Sequence, residues 1–152
     1  MRKVIKNVIT QEDADLLPPP RLQHIKLKGA ENPTILKVLG AIFSDTGFGA
    51  EDLHAMSYAK VSHQPEGHGW HNDKGQLGER HVNSHMNWCR IGASLLLTDD
   101  FTGGSFLYKD DWASSSETLV ARDKFDLVIH DSNQIHSVSP SQGNRVALLI
   151  FI

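Results

Sequence analysis

The chain is short of the features that most readily assign a protein to a compartment or a partner. It has one cysteine, Cys89, in 152 residues, which excludes an internal disulfide framework and fits a reducing compartment. Cys89 itself reads as a small buried hydrophobe. No apolar run approaches the roughly 20 residues that cross a bilayer, and the opening Met1-Arg2-Lys3-Val4-Ile5-Lys6 lacks the unbroken apolar core of a signal peptide. A cytoplasmic location is therefore expected, with no membrane partner. Positive charge is not in excess either: 15 basic against 18 acidic residues leave a net charge of −3, which offers no footprint for a phosphate backbone. Nucleic acid is not expected as a partner. No repeat, low-complexity tail or linker interrupts the sequence, and its length suits one hydrophobic core. We expect a single domain over residues 1–152, with an N-terminal support region 1–54 and a core 55–152.

What is present divides into two patterns. Residues 4–9 read as a short strand, Pro18-Pro19-Pro20 excludes helix or central strand, and residues 22–27 alternate enough for a second strand. Asn32-Pro33 reads as an N-cap followed by proline in the first turn. Ile35, Leu36, Val38, Leu39, Ile42 and Phe43 then keep helical spacing until Gly47 and Gly49, so one helix is expected over 34–44. From about residue 55, short apolar or alternating runs are separated by turn residues, which is an antiparallel β pattern. These runs are 55–62, 70–73, 88–98, 105–108, 117–121, 125–130 and 144–152. The expected fold is mainly β, a double-stranded β-helix (jelly roll) with one supporting N-terminal helix. Residues 75–87 read as a polar, glycine-containing, histidine-bearing loop after the run at 70–73, either a solvated surface loop or one placed to cover a site or select substrate.

Histidine is the compositional surplus: there are nine, and five of them fall between His63 and His85. On a strand, residues two apart share a face, so His71 and Asp73 can point together into a barrel mouth while Asn72 faces away. Downstream, the apolar run 125–129 stops at Asp131-Ser132-Asn133. His136 follows, and a turn at residues 141–144 leads to Arg145 at the head of an apolar strand. Two imidazoles and a carboxylate make the facial set that leaves open positions on non-heme Fe(II). An arginine entering a buried strand needs an anion. His130, which ends the preceding strand, is the rival to His136. His81 and His85 have a spacing that would suit zinc on a helix, but the surrounding residues lack apolar periodicity. His63 and His68 flank the first ligand strand as pocket-lining candidates.

Residues 56–152 resemble the core of the Fe(II)/2-oxoglutarate-dependent oxygenases, in particular the prolyl-4-hydroxylase-like branch. The resemblance rests on His71-Asn72-Asp73, the strand from Arg90 to Leu97, the turn Gly103-Gly104-Ser105-Phe106, and Phe125 through Pro140 with Gly143-Asn144-Arg145. It implies that His71, Asp73 and His136 bind iron and act in catalysis. It also implies that Arg145 holds the distal carboxylate of 2-oxoglutarate and that Tyr58 supports the co-substrate. Fe(II), 2-oxoglutarate as co-substrate and ascorbate as accessory reductant are the implied cofactors. The implied reaction hydroxylates a C–H bond of a peptide side chain or small metabolite and releases succinate and carbon dioxide. Two points depart from the family pattern: Ser105 stands where an acidic residue is usual, and Tyr58 lies further from His71 than expected. Two other readings compete. A non-catalytic cupin-like metal- or small-ligand-binding jelly roll would gather histidines rather than use Asp73. A nucleic-acid dealkylase would carry a second arginine at position 151, which is Phe151.

Overall fold

A computed structural model of the chain describes residues 1–21, 23–78 and 85–152, with residues 80 and 81 described by their backbone alone. In chain order the elements are β1 (Arg2–Ile5), α1 (Gln11–Asp15), β2 (Ile25–Lys26), α2 (Pro33–Thr46), β3 (Tyr58–Ser62), β4 (His68–His71), β5 (Gln76–Leu77) and β6 (Arg80–His81). They continue with β7 (Ile91–Leu96), β8 (Phe101–Gly103), β9 (Phe106–Lys109), β10 (Thr118–Val120), β11 (Leu127–Asp131), β12 (Ile135–Val138), β13 (Ser141–Gly143) and β14 (Ala147–Phe151). The larger sheet runs β1-β11-β7-β14-β3-β2 and the smaller runs β10-β9-β12-β4, with short ladders β13-β8 and β5-β6 beside them. All the pairings are antiparallel. The chain is thus mainly β, as the alternating runs predict.

Helix α2 forms where its caps and its apolar stripe coincide. The Asn32 side-chain oxygen accepts the Thr34 and Ile35 amides, Pro33 occupies the first turn, where its missing N–H is not needed, and Gly47 ends the helix at φ 76°. Ile35, Val38, Leu39 and Ile42 lie on one face and are buried. They pack on Ala59, Val61, Ile91, Leu95, Leu127, Ile129, Leu148 and Ile150 of the larger sheet in one apolar cluster. Each such aliphatic contributes about 1.5–3 kcal/mol on full burial, so this face carries most of the core.

Because side chains alternate along a strand, the other face of the same sheet presents a different set. Tyr58, Lys60 and Ser62 of β3, Ser94 of β7, and Ala147, Leu149 and Phe151 of β14 line a cavity. Phe106, His136 and Val138 of the smaller sheet, with His68 and His71 of β4, close it from the opposite side.

Several expected boundaries change. The first strand is β1 (Arg2–Ile5) rather than residues 4–9: Asn7 turns the chain at φ 56° and donates its N–H to Asp126 Oδ1 at 2.9 Å. A second, short helix, α1, accompanies the single helix expected. Thr10 caps it by accepting the Asp13 amide, and Asp13 Oδ2 accepts the Thr10 amide in return. Of the strand expected over 22–27, only Ile25–Lys26 pairs with β3, and Leu22 lies outside the described residues. The loop expected over 75–87 contains the β5-β6 ladder. His81 falls in β6, not on a helix with His85, and its side chain and residues 82–84 lie outside the described residues. Ser141–Gly143, expected as a turn, pairs with β8. The last strand begins at Ala147, so Arg145 precedes it.

Candidate metal centre

His71 and His136 face each other because β4 and β12 are antiparallel neighbours in which these two residues are register partners. Their ring centroids lie 4.2 Å apart. Asp73 reaches them by a route that strand alternation does not describe. Strand β4 ends at His71, and the chain turns through Asn72-Asp73-Lys74-Gly75. Asn72 is buried, not outward-facing: its Oδ1 accepts the Gln76 amide at 3.0 Å and its Nδ2 donates to Gln76 Oε1 at 2.6 Å. The Asp73 amide donates to the Ser132 carbonyl at 3.0 Å. The turn therefore carries the carboxylate inward, and one ligand atom from each of His71, Asp73 and His136 lies within 4.8 Å of the others.

The hydrogen bonds around this group prepare it for a cation. The Nδ1 positions of His71 and His136 lie against the carbonyls of Gly69, at 2.6 Å, and Gln134, at 2.9 Å. An Nδ1–H donated to each carbonyl leaves Nε2 with its lone pair. Burial and the neighbouring His136 and His68 charges push the His71 pKa down to about 3, so its imidazole is neutral at ordinary pH. Burial would raise the Asp73 pKa, but His136 and the bond from His130 outweigh it and hold the carboxyl well below the usual carboxylate range. Burial would likewise lower the His136 pKa, and Asp73 overrides it and raises it. One anionic and two imidazole donors, Asp73 and His136 buried and His71 half-buried, suit a divalent transition metal.

His130, the rival ligand, stands on the larger sheet on the far side of Asp73. Its Nε2 donates to Asp73 Oδ2 at 2.7 Å, whereas Asp73 Oδ1 lies 3.4 Å from His136 Nε2. The Tyr108 hydroxyl, 3.0 Å away, supplies a proton to His130 Nδ1, and burial keeps this histidine's pKa low. Gly92, the register partner of His130, makes room for the pair: a Cβ there would fall 1.8 Å from Asp73 Oδ2 and 2.9 Å from His130 Nε2. Neither Gly92 nor Tyr108 was anticipated from sequence. The available signal was the small residues Gly92 and Ser94 at alternate positions of an otherwise apolar strand.

Arg145 lies at the other end of the cavity, 7% exposed. Its Nε donates to the Gly104 carbonyl at 3.1 Å, and its side chain crosses Gly104 so closely that a Cβ there would sit 2.3 Å from Arg145 Cδ. The glycine pair is thus more than a turn. Among the described residues no carboxylate lies within 4.0 Å of Arg145, and burial lowers its pKa. A buried guanidinium that faces a cavity with no such acid beside it could hold an anion. Tyr58 lines the same cavity, stacked on His24 at 3.8 Å and tilted against Phe151 at 4.9 Å. Burial pushes its pKa up to about 12. His68 reaches the cavity, whereas the His63 ring bonds the Arg145 carbonyl at 2.9 Å.

No protein-family model and no curated protein matches the chain. Among solved structures it is similar to a Pseudomonas putida prolyl-4-hydroxylase, with TM-score 0.62 and 17% identity, over 99% of this chain and 83% of that one. A Trichoplax adhaerens prolyl hydroxylase in complex with a hypoxia inducible factor peptide fragment matches with TM-score 0.61 and 12% identity, over 99% and 83%. An oxidoreductase of the 2OG-Fe(II) oxygenase family from Burkholderia pseudomallei matches with TM-score 0.52 and 15% identity, over 90% of this chain. The chain spans 65% of that protein's length. At these identities the likeness is one of fold.

Proposed function

We propose that the chain is an Fe(II)- and 2-oxoglutarate-dependent dioxygenase of the prolyl-4-hydroxylase-like kind. It would hydroxylate a C–H bond of a peptide side chain or small metabolite and release succinate and carbon dioxide. In this reading the two facing sheets are the double-stranded β-helix and residues 1–152 act as one unit. The observation that carries the reading is the pairing, in one cavity, of the His71-Asp73-His136 group with the guanidinium of Arg145, which has no carboxylate within 4.0 Å among the described residues. A metal site alone would not need that arginine, and a structural arginine would sit beside a carboxylate.

His71, Asp73 and His136 would hold the iron, and Arg145 would anchor the distal carboxylate of 2-oxoglutarate through its free terminal nitrogens. When bound, Fe(II) with 2-oxoglutarate supplies oxidative decarboxylation and C–H hydroxylation, chemistry that belongs to the cofactor. The chain's own residues bind and orient. Gly69 and Gln134 fix the imidazole tautomers, and His130 holds Asp73 by one oxygen so that the other faces His136. Tyr58 and Phe151 wall the same cavity. The solved complex of a similar hydroxylase with a peptide fragment supports a peptide as one substrate class.

Anaerobic addition of Fe(II) and 2-oxoglutarate tests the reading. The expected result is a visible metal-to-ligand charge-transfer band that His136→Ala abolishes and His130→Ala retains at higher iron concentration. Wild-type protein that binds no 2-oxoglutarate would sink the proposal. The cupin-like reading would gather histidines in place of Asp73, whereas His130 bonds Asp73 rather than joining the donor group. Metal and ligand binding that survive Asp73→Ala would favour it over the oxygenase.

A further inference from the structure

A second arginine, half-buried, carries the end of its guanidinium in behind the cavity wall. Arg122 follows β10 and reaches across to β7, where its Nη1 donates to the Ser94 carbonyl at 2.8 Å and to Ser94 Oγ at 3.1 Å. Its guanidinium carbon lies 5.1 Å from the Phe106 ring centroid, and Phe106 in turn stacks on His136 at 5.4 Å. Nη2 is buried with no hydrogen-bond partner. Among the described residues no carboxylate lies within 4.0 Å of Arg122. Burial, and then the charge of Arg145, press its pKa down to about 9. Two cations thus share a poorly solvated region in which, among the described residues, neither has a carboxylate within 4.0 Å, an arrangement that an incoming anion relieves.

Ser94 connects Arg122 to the cavity, which it lines. A hydroxyl that accepts an arginine N–H still has one proton to donate, and Ser94 Oγ makes no other hydrogen bond among the described residues. Two residues along β7 from Gly92, Ser94 stands about 6.8 Å from the row that holds Asp73, toward Arg145. We propose, resting on the function proposed above, that Arg122 is a positioning residue for the distal carboxylate of the co-substrate. By occupying Ser94 Oγ it turns the hydroxyl proton into the cavity and makes a two-point clamp with Arg145. Arg122 thereby biases the site toward oxo-acids that carry a second carboxylate.

The test is calorimetric titration of Mn(II)-loaded protein with 2-oxoglutarate and with 2-oxobutyrate, which has the same oxo-acid head and no distal carboxylate. Wild type prefers 2-oxoglutarate. Arg122→Met weakens 2-oxoglutarate binding about ten-fold and leaves 2-oxobutyrate and Mn(II) affinity unchanged. Ser94→Ala acts in the same direction, and the double variant is no weaker than Arg122→Met by more than about two-fold, because both changes break one linkage. Arg122→Lys, which keeps the charge and one N–H for Ser94, restores part of the preference. Equal weakening of both oxo-acids would mean that Arg122 only packs the wall, and that overturns the proposal. So does full preference retained in Arg122→Met or, should that variant not fold, in Ser94→Ala. A wild type with no preference for 2-oxoglutarate brings down the dioxygenase reading and this proposal together, whereas an unchanged preference in the variants brings down this one alone.

Discussion

The two faces of the larger sheet are made from the same strands and follow opposite rules. Toward α2, Ile91, Leu95, Ile129, Leu148 and Ile150 are each 0–1% exposed and belong to one apolar cluster. Dispersion and burial there are non-directional, so volume matters more than atomic placement. Toward the cavity, Gly92, Ser94 and His130 occupy the alternate positions, and each is tied to a particular atom: Asp73 Oδ2 for Gly92 and His130, an Arg122 nitrogen for Ser94. Hydrogen bonds and ligand fields are directional, so a methyl group can undo on this face what it would improve on the other.

The sharpest way to break this contrast is at the donor set. Asp73→Ala removes the one anionic member of the proposed donor set, and Fe(II)-dependent succinate formation from 2-oxoglutarate is expected to vanish while the thermal transition stays within a few degrees. Ile42→Ala, on the dry face, should act in reverse. It costs about 2–5 kcal/mol of stability, read from urea denaturation, and leaves metal affinity unchanged in the folded protein. Gly92→Ala sharpens the comparison further, because its added carbon meets the Asp73 carboxylate. We expect metal affinity to fall about 10- to 100-fold, as for other outer-shell changes, measured by competition with a chromogenic chelator. Undiminished affinity would show that Asp73 can move aside.

The smallest effect lies away from both faces, at Asp126. This buried carboxylate accepts Lys6 Nζ at 2.8 Å and the amides of Asn7 and Asp123 at 2.9 and 2.8 Å. Burial alone would raise its pKa, and these donors outweigh it and lower it. Stability from a depressed carboxyl is present above its unfolded pKa of about 3.9 and is lost as pH falls below that toward the folded value. Asp126→Asn should therefore cost about 1–2 kcal/mol near neutral pH. It should also flatten the acid limb of a stability-against-pH curve below about pH 4.

Some residues announce themselves in one dimension and others only in three. Helix α2 was legible because Asn32, Pro33, the i, i+3, i+4 apolar stripe and Gly47 are all local signals. His71, Asp73, His136 and Arg145 were legible as residue types out of keeping with their surroundings. Asn72 was misread, because the end of β4 and the bonds to Gln76 bury a residue that alternation turns outward. Helix α1 was missed because five residues are too few for a periodic pattern. The β13-β8 ladder was missed because Ser141–Gly143 has turn composition and acquires its pairing from a distant segment.

By itself the sequence determined the mainly β class, the one long capped helix and the chemistry available: two imidazoles, a carboxylate and a lone arginine near the end of the chain. Local spacing and side-chain type are written in the order of residues. Only the tertiary structure decided that His130 serves Asp73, that Gly92 must be empty for it to do so, that Arg145 has no acid beside it among the described residues, and that Arg122 stands behind Ser94. Each of these depends on atoms brought together from strands tens of residues apart, and such distances are set by sheet register and packing rather than by any stretch of sequence.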